Sequence, residues 1–487
     1  MYQELTLPLA QVYTEELSGN RWRGERRLRE LALAGVRYAV RSSHTDGSCD
    51  DYYPFERALG ATAFAASAGA QTLALLNERD PDILSFLKRR SRWLLDRQES
   101  GRLSNHQALV ALAAARTAVL TGDKALLQGA EERLRLCLSW QHKEGWFPEY
   151  EGADPGYQTL TITFLAALKD YLVAEDLEPA LARALAFSAH FLHPDGSYGG
   201  ETGSRNTCQV LPSGFERLAC QFPEAGYLAD GWLAGAVSGR RGYPDDDRIF
   251  CHWLHDLVDA YRLRANRSLV KTEPWSPPQG RTSFDAAGLH VVRDGRLHLI
   301  IATTKGGTFR AYTGQHLLRN DTGLVALTDT GERLVTHMVD PNAKVIWGDR
   351  AVTIRGQFQY APRKLAAPMK QVAFRLVNCT VGRVAPDLVR RMLQRSLITG
   401  KRPAPLAFER QIDWSDEGCV TVQDRIWLEA SGVPRLARLY GSTDATSIYV
   451  ATSNLWQDAS FCVWDDLTPA AEVLRTSGSC EIRWKHS

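Results

Sequence analysis

The chain is 487 residues long, 44% hydrophobic and 23% charged, the composition of a globular protein with room for two domains. A formal charge of +2 without a basic block excludes general electrostatic attraction to nucleic acid. Nine cysteines without a C-x-x-C pair exclude a disulfide framework and read as reduced, mostly buried thiols.

The N-terminal segment MYQELTLPLAQVYTEEL (1–17) has no basic start, apolar core or small-residue cleavage site. No later run approaches the ~18 consecutive apolar residues of a transmembrane segment. The expected location is therefore cytoplasmic. Four related loops follow: HTDGSCDDYY (44–53), ESGRLSNHQ (99–107), HKEGWFPEYEG (142–152) and HPDGSYGG (193–200). In each a polar or acidic residue precedes a glycine, and the glycines Gly47, Gly101, Gly145 and Gly196 recur about every 50 residues, enough for one helix out and one back. The segments 58–76 and 107–120 are rich in small apolar residues nearly all round and predict inner helices. The segments 82–98, 124–140 and 247–264 are amphipathic and charged and predict outer ones. Inner helices ringed by outer helices describe an α/α toroid, complete or incomplete, within residues 1–270.

A Pro-rich linker (271–282) follows, and the pattern then changes to alternating β-branched runs at 297–304, 351–360, 371–378, 419–428 and 447–453. These predict an antiparallel β-sandwich over 283–487, interrupted by a basic helical insertion near 386–405 that offers a peripheral membrane or partner contact. His252 and His255 lack the H-E-x-x-H pattern of zinc hydrolases and read as structural.

A toroid followed by a sandwich resembles the heparinase II/III-like and alginate-lyase-like polysaccharide lyases. The resemblance spans nearly the whole chain and is carried by that architecture and three segments. SNHQ (104–107) opens an inner helix, GYQTLTITF (156–164) places a Tyr at the start of the next, and KGGTFRAYTGQHLLRNDTG (305–323) is similar to a Gly/His/Asp segment facing the cleft. The denser His-x-His-x-Asp cluster of the family is reduced here to His316 and Asp321, so no metal or other cofactor is expected. The resemblance implies an anionic polysaccharide or oligosaccharide as partner.

Eliminating a 4-linked sugar from a uronate requires neutralising the carboxylate and removing the weakly acidic C5 proton. The resemblance makes Asn105 the neutraliser, helped by His106 or Arg205, Tyr157 the base or acid, and His316 a second proton carrier. Arg310 and Tyr312 lie in the sandwich segment as substrate-binding candidates. The loop HPDGSYGGETGSRNT (193–207) should line one mouth of the toroid, which places Tyr198, Glu201, Arg205 and Asn206 on its rim. Bland readings stand beside these: Ser104 and Asn105 as a helix N-cap, Tyr157 as helix packing, Arg205 as a salt-bridge partner. Other functions also fit. A toroidal glycoside hydrolase would draw on Asp50, Asp51, Glu149 and Glu201. A uronyl C5-epimerase would use the same proton abstraction, and a non-catalytic glycan-binding or assembly protein would use none of it.

Overall fold

The computed structural model describes residues 2–99, 101–150, 152–240, 247–267, 274–361, 368–394, 402–429, 435–443 and 465–486. Its N-terminal part is helical: α1 (Thr6–Thr14), α2 (Arg26–Ser42), α3 (Leu59–Leu75), α4 (Pro81–Leu95), α5 (Ser104–Thr121), α6 (Lys124–Ser139), α7 (Pro155–Leu168), α8 (Leu177–Ser188), α9 (Ser213–Leu218), α10 (Pro223–Val237) and α11 (Asp247–Arg267). The alanine-rich α3 and α5 and the apolar α7 are buried on nearly every side, as inner helices must be. The outer α4 buries a single stripe through Ile83, Phe86, Leu87 and Leu94, and starts where Asp80 caps it ahead of Pro81. Gln11 on α1 donates to the His255 carbonyl on α11 at 3.1 Å, so the two ends of the helical array meet.

Three of the four related loops make the same turn. The amides of His44, His142 and His193 donate to the carbonyls of Ser48, Trp146 and Ser197, and the amides of Gly47, Gly145 and Gly196 donate back to the histidine carbonyls. Gly145 shows why glycine is required: its φ is +97°, and a Cβ there would lie 2.2 Å from the Arg183 carbonyl oxygen on α8.

Within the toroid a short hairpin pairs β1 (Pro148–Glu149) with β2 (Gly152–Ala153). After the helices comes a five-stranded antiparallel meander of β3 (Gly280–Phe284), β4 (Leu289–Asp294), β5 (Leu297–Ala302), β6 (Thr308–Thr313) and β7 (His316–Asp321). Its alternation serves two cores. Leu289, Val291, Ile300 and Ala302 join the toroid core beside Phe187 and Phe191. Val292, Leu299, Ile301 and Phe309 pack on Val352, Ile354, Ile412 and Val422 of a second sheet. That nine-stranded sheet holds β8 (Gly323–Thr328), β9 (Arg333–Val335), β10 (Lys344–Trp347), β11 (Ala351–Ala361), β12 (Pro403–Trp414), β13 (Val420–Leu428), β14 (Leu436–Ser442), β15 (Asp465–Asp466) and β16 (Ser479–His486). The first sheet is thus the middle layer between toroid and second sheet.

Two expectations change. QVAFRLVN (371–378) was expected as a strand, yet α12 (Pro368–Val377) is helical. Its short apolar run satisfies helical as well as strand spacing, and Phe374 finds Tyr53 of the toroid, ring centres 5.4 Å apart. The insertion therefore starts earlier than 386. It continues into α13 (Pro386–Gln394), while Pro403 already belongs to β12. The expected strand at 447–453 lies outside the described residues. The insertion rests on the toroid: Arg390 donates to the carbonyls of Glu56 and Arg57 at 3.3 and 3.1 Å, and Arg97 pairs with Asp387 at 3.5 Å. Its outer face exposes Met369, Val372, Leu376, Val384 and Met392. No helix among the described residues is long and apolar enough to cross a membrane.

The seam between toroid and first sheet buries three histidines. Burial, with Arg293 alongside, pulls His190 down to about 4 and His298 to about 3. Burial and Arg310 hold His193 well below the usual range. As pH falls below ~6.5 the unfolded chain takes up these protons and the folded chain does not, so their contribution is complete above that pH and is lost towards pH 4. The expected loss is on the order of a few kcal/mol per histidine. Glu149 and Asp256, raised to about 8 and about 7 chiefly by burial, act with the opposite sign. Denaturant melts from pH 7 to 4 on the wild type and His298→Gln isolate the histidine part: the variant should show the shallower slope. Parallel slopes would remove the seam from the argument.

Candidate active site

The start of α5 is held by the β1–β2 hairpin lying across it. Ser104 Oγ donates to the Pro148 carbonyl at 2.8 Å, and Asn105 Nδ2 donates to Glu149 Oε2 at 2.7 Å. The helix N-cap is Leu103, without a side-chain capping bond, so capping does not account for Asn105. Asn105 is 1% exposed, and its Oδ1 has no hydrogen-bond partner among the described residues. Glu149 beneath it is also buried. Burial pushes its carboxyl up to about 8 against Arg205, His106 and the Asn105 hydrogen bond, so at neutral pH it is mostly a neutral acid.

His106 Nδ1 lies 2.5 Å from Glu99 Oε2. Burial disfavours the imidazolium, but the charge and hydrogen bond of Glu99 more than offset this and leave His106 above its usual range. Arg390 of the insertion meets the same Glu99 at 3.4 Å. The imidazole packs on Gly60 of α3, where a Cβ would sit 2.7 Å from Cε1 and 2.8 Å from Nε2. Gly60→Ala must therefore push His106 off Glu99. The expected result is a lowered His106 pKa in an NMR titration and, if the site turns over substrate, a rate loss on the order of tenfold. An unchanged titration would show that the pair tolerates the shift.

A third wall comes from α7 and the loop 201–207. The Asp154 carboxylate accepts from the Tyr157 amide at 3.0 Å and the Arg205 amide at 2.7 Å, and also bonds Thr207 Oγ1. One side chain thus caps α7 and fixes the loop. The Arg205 guanidinium lies 4.5 Å from the Tyr150 ring centre and 5.8 Å from that of Tyr157. Burial disfavours its charge, but Tyr157, Tyr150 and Glu149 hold it above the usual arginine range. Its Nε and Nη1 are buried without a hydrogen-bond partner among the described residues. Guanidinium nitrogens without a partner are donors suited to a carboxylate. Burial keeps the Tyr150 hydroxyl protonated, well above its ordinary range.

Asn105, His106, Tyr157 and Arg205 are therefore linked through Glu149, Glu99 and Asp154. The other expected residues are elsewhere. Tyr198 is 2% exposed and donates to the Ser188 carbonyl at 3.2 Å, a core position and not a rim one. Asn206 Oδ1 is bound by the Lys305 ammonium. Glu201 pairs with Arg310 at 3.3 Å, and Tyr312 Oη lies 3.2 Å from Ser197 Oγ, all at the seam. His316 sits exposed beside the turn between β6 and β7, and no hydrogen bond or ring contact joins it to the toroid among the described residues. Asp321 is buried against Arg410 at 2.6 Å, which removes it from any pairing with His316. No group of three or more His, Cys, Asp or Glu that could hold a metal occurs among the described residues. Of the acids a hydrolase needs, Asp50 is bound by His44 at 2.8 Å and accepts the Phe55 amide, which makes it a loop-forming group. Tyr150, Glu99, Asp154 and Arg390 were missed. The dense acid and aromatic run EYEGADPGY (149–157) was a signal for Tyr150 and Asp154, whereas Arg390 had none.

No protein-family model matches this chain, and no curated protein matches it in sequence. Solved structures do match in fold. A chondroitin AC lyase from Streptomyces coelicolor A3, in complex with chondroitin sulphate, aligns over 91% of this chain and 63% of its own with a TM-score of 0.56 at 12% identity. A Paenibacillus xanthan lyase aligns over 90% of this chain and 42% of its own (TM-score 0.54, 13% identity). Heparinase III aligns over 90% and 66% (TM-score 0.53, 12% identity). The chain thus has the polysaccharide-lyase fold of helical toroid and antiparallel sandwich, and spans two thirds or less of the length of each of these structures.

Proposed function

From that shared fold as premise, we propose that this protein cleaves a uronate-containing polysaccharide by C5 proton abstraction and β-elimination. The observation that carries the reading is the Arg205 guanidinium, whose Nε and Nη1 have no hydrogen-bond partner among the described residues, beside Tyr157 and within the same buried cluster as Asn105. The uronate carboxylate accepts from the Arg205 guanidinium and from the second hydrogen of Asn105 Nδ2, and the neutral Glu149 carboxyl orients Asn105 without adding a repelling charge. Spreading the carboxylate charge stabilises the carbanion that forms when the C5–H bond breaks. The Tyr157 oxygen takes that proton, and the adjacent guanidinium favours its phenolate form. The electron pair forms the C4=C5 double bond as the C4–O bond breaks, and the leaving oxygen takes a proton from Tyr157 or from His106, whose charged form Glu99 favours. An anionic glycan is the partner this arrangement suits.

The test incubates the protein with a panel of uronate polysaccharides in heavy water. Rising ultraviolet absorbance from an unsaturated product is the expected result. Deuterium at C5 without cleavage would make it an epimerase, and reducing ends without the chromophore a hydrolase. Binding without any of these would leave a glycan-binding protein.

A further inference from the structure

Four arginines face one another where the insertion meets the toroid. Arg57 and Arg97 come from the toroid rim, and Arg383 and Arg391 from the sandwich insertion. They line a single pocket of about 320 Å³ that also receives the start of α13, with Asp387 the one acid in its lining. Arg57 is partly offset by Asp46, and Arg97 by Asp387 at 3.5 Å. Arg383 lies over the Phe55 ring at 5.8 Å, and Arg391 reaches only the Asp387 carbonyl at 3.3 Å. Among the described residues neither has an acidic partner.

Like charges brought together across an interdomain seam oppose the docking of the two parts. The arrangement is relieved by an anion held between them. Guanidinium groups suit oxyanions best, because each presents a planar fork of N–H donors. The pocket also adjoins the candidate active site. Arg390, one residue before Arg391, meets Glu99, the partner of His106, and Arg97 lies two residues before Glu99.

We propose that this pocket is an accessory subsite for an oxyanion substituent, a sulfate ester or a carboxylate, on the same acidic glycan that enters the site. The inference rests on the anionic-glycan reading above and adds a second charged contact along the chain. A glycan whose oxyanion sits here joins the rim to the insertion, so its binding and the docking of α13 favour each other.

The test measures binding by calorimetry at constant ionic strength, with full-length wild type and the double variant Arg383→Gln/Arg391→Gln. Three versions of one uronate oligosaccharide serve as ligands: sulfated, desulfated, and desulfated with its carboxyls reduced. The wild type should bind the sulfated form, or the carboxylated form, about tenfold more tightly than the version lacking that group. The double variant should lose most of the sulfated–desulfated gap, or narrow the desulfated–reduced gap to the part that the carboxylate at Arg205 accounts for, while keeping its melting midpoint. Loss of the sulfated–desulfated gap assigns the pocket to sulfate, and narrowing of the desulfated–reduced gap assigns it to carboxylate. A gap the variant leaves intact, or no gap in the wild type, overturns the subsite. So does arginine-dependent binding to anionic phospholipid vesicles in place of the glycan. Product formation is read separately. Unsaturated product without an arginine-dependent gap keeps the lyase reading and removes the subsite, whereas the gap without product does the reverse.

Discussion

Tyr157→Phe is expected to lower kcat for elimination by about 10³-fold or more, with KM nearly unchanged. The substitution removes one oxygen, and the fold has little reason to respond: the Tyr157 amide stays capped by Asp154 and the ring stays against the core. Arg205→Met should look different. It deletes the fork that grips the carboxylate and the cation beside the phenol, so kcat should fall by about 10²-fold or more and KM should rise. If the two residues act as one unit, the double variant will be little worse than Tyr157→Phe alone. Losses that multiply would mean that Arg205 binds substrate without assisting Tyr157. Substantial elimination by Tyr157→Phe would move the base elsewhere, with His106 next in line.

The neutral Glu149 adds a pH signature. Its carboxyl is raised to about 8, chiefly by burial, so above that pH a negative charge appears beside the proposed carboxylate site. Activity should therefore decline on the alkaline side, and Glu149→Gln should remove that limb of the profile while retaining turnover. A wild-type profile still rising above pH 8 would argue against a neutral Glu149 in the working enzyme.

What was legible in the sequence was mainly local. The H-x-[D/E]-G turns declare themselves because a glycine with positive φ must stand between helices that approach closely, and this recurs with the repeat. Inner and outer helices separate by composition because burial does. Asn105 and Tyr157 could be nominated because they stand at helix starts, and Arg205 because it follows one of those turns. Residues 371–378 were misread because a short apolar run fits either period until a partner such as Tyr53 selects one. Tyr198, Glu201 and Asn206 were placed on an open rim because the sequence does not reveal that the first sheet docks directly on the 193–207 loop. The ionisation of Glu149 was invisible for a similar reason, since it depends on what surrounds the side chain. Arg390 reaches Glu99 across 291 residues, and no local pattern announces such a contact.

Docking of the sheet has its clearest consequence at Lys305. This residue closes the turn between β5 and β6 and is 2% exposed. Its ammonium donates to the Gly203 carbonyl at 2.6 Å, to the Glu201 carbonyl and to Asn206 Oδ1, one acceptor for each of its three hydrogens. Burial pulls it down to about 8, with Asp154 and Glu201 opposing, so it remains mostly charged at neutral pH. Arg205 lies inside the segment that Lys305 gathers. Lys305→Met keeps the length of the side chain but takes one donor from each of three oxygens at a dry seam, of which the Gly203 carbonyl keeps the Asn206 amide, an expected loss of about 3–5 kcal/mol in denaturant unfolding. Activity should fall as well, even under conditions where the variant is fully folded, because the loop that carries Arg205 then loses its tie to the sheet and a shift near 1 Å at a positioning group costs on the order of 10²-fold. Lowered stability with unchanged kinetics would confine Lys305 to joining the two domains. Reduced stability and reduced kcat/KM together would mean that the sandwich builds the site from behind, by setting the loop that carries its arginine.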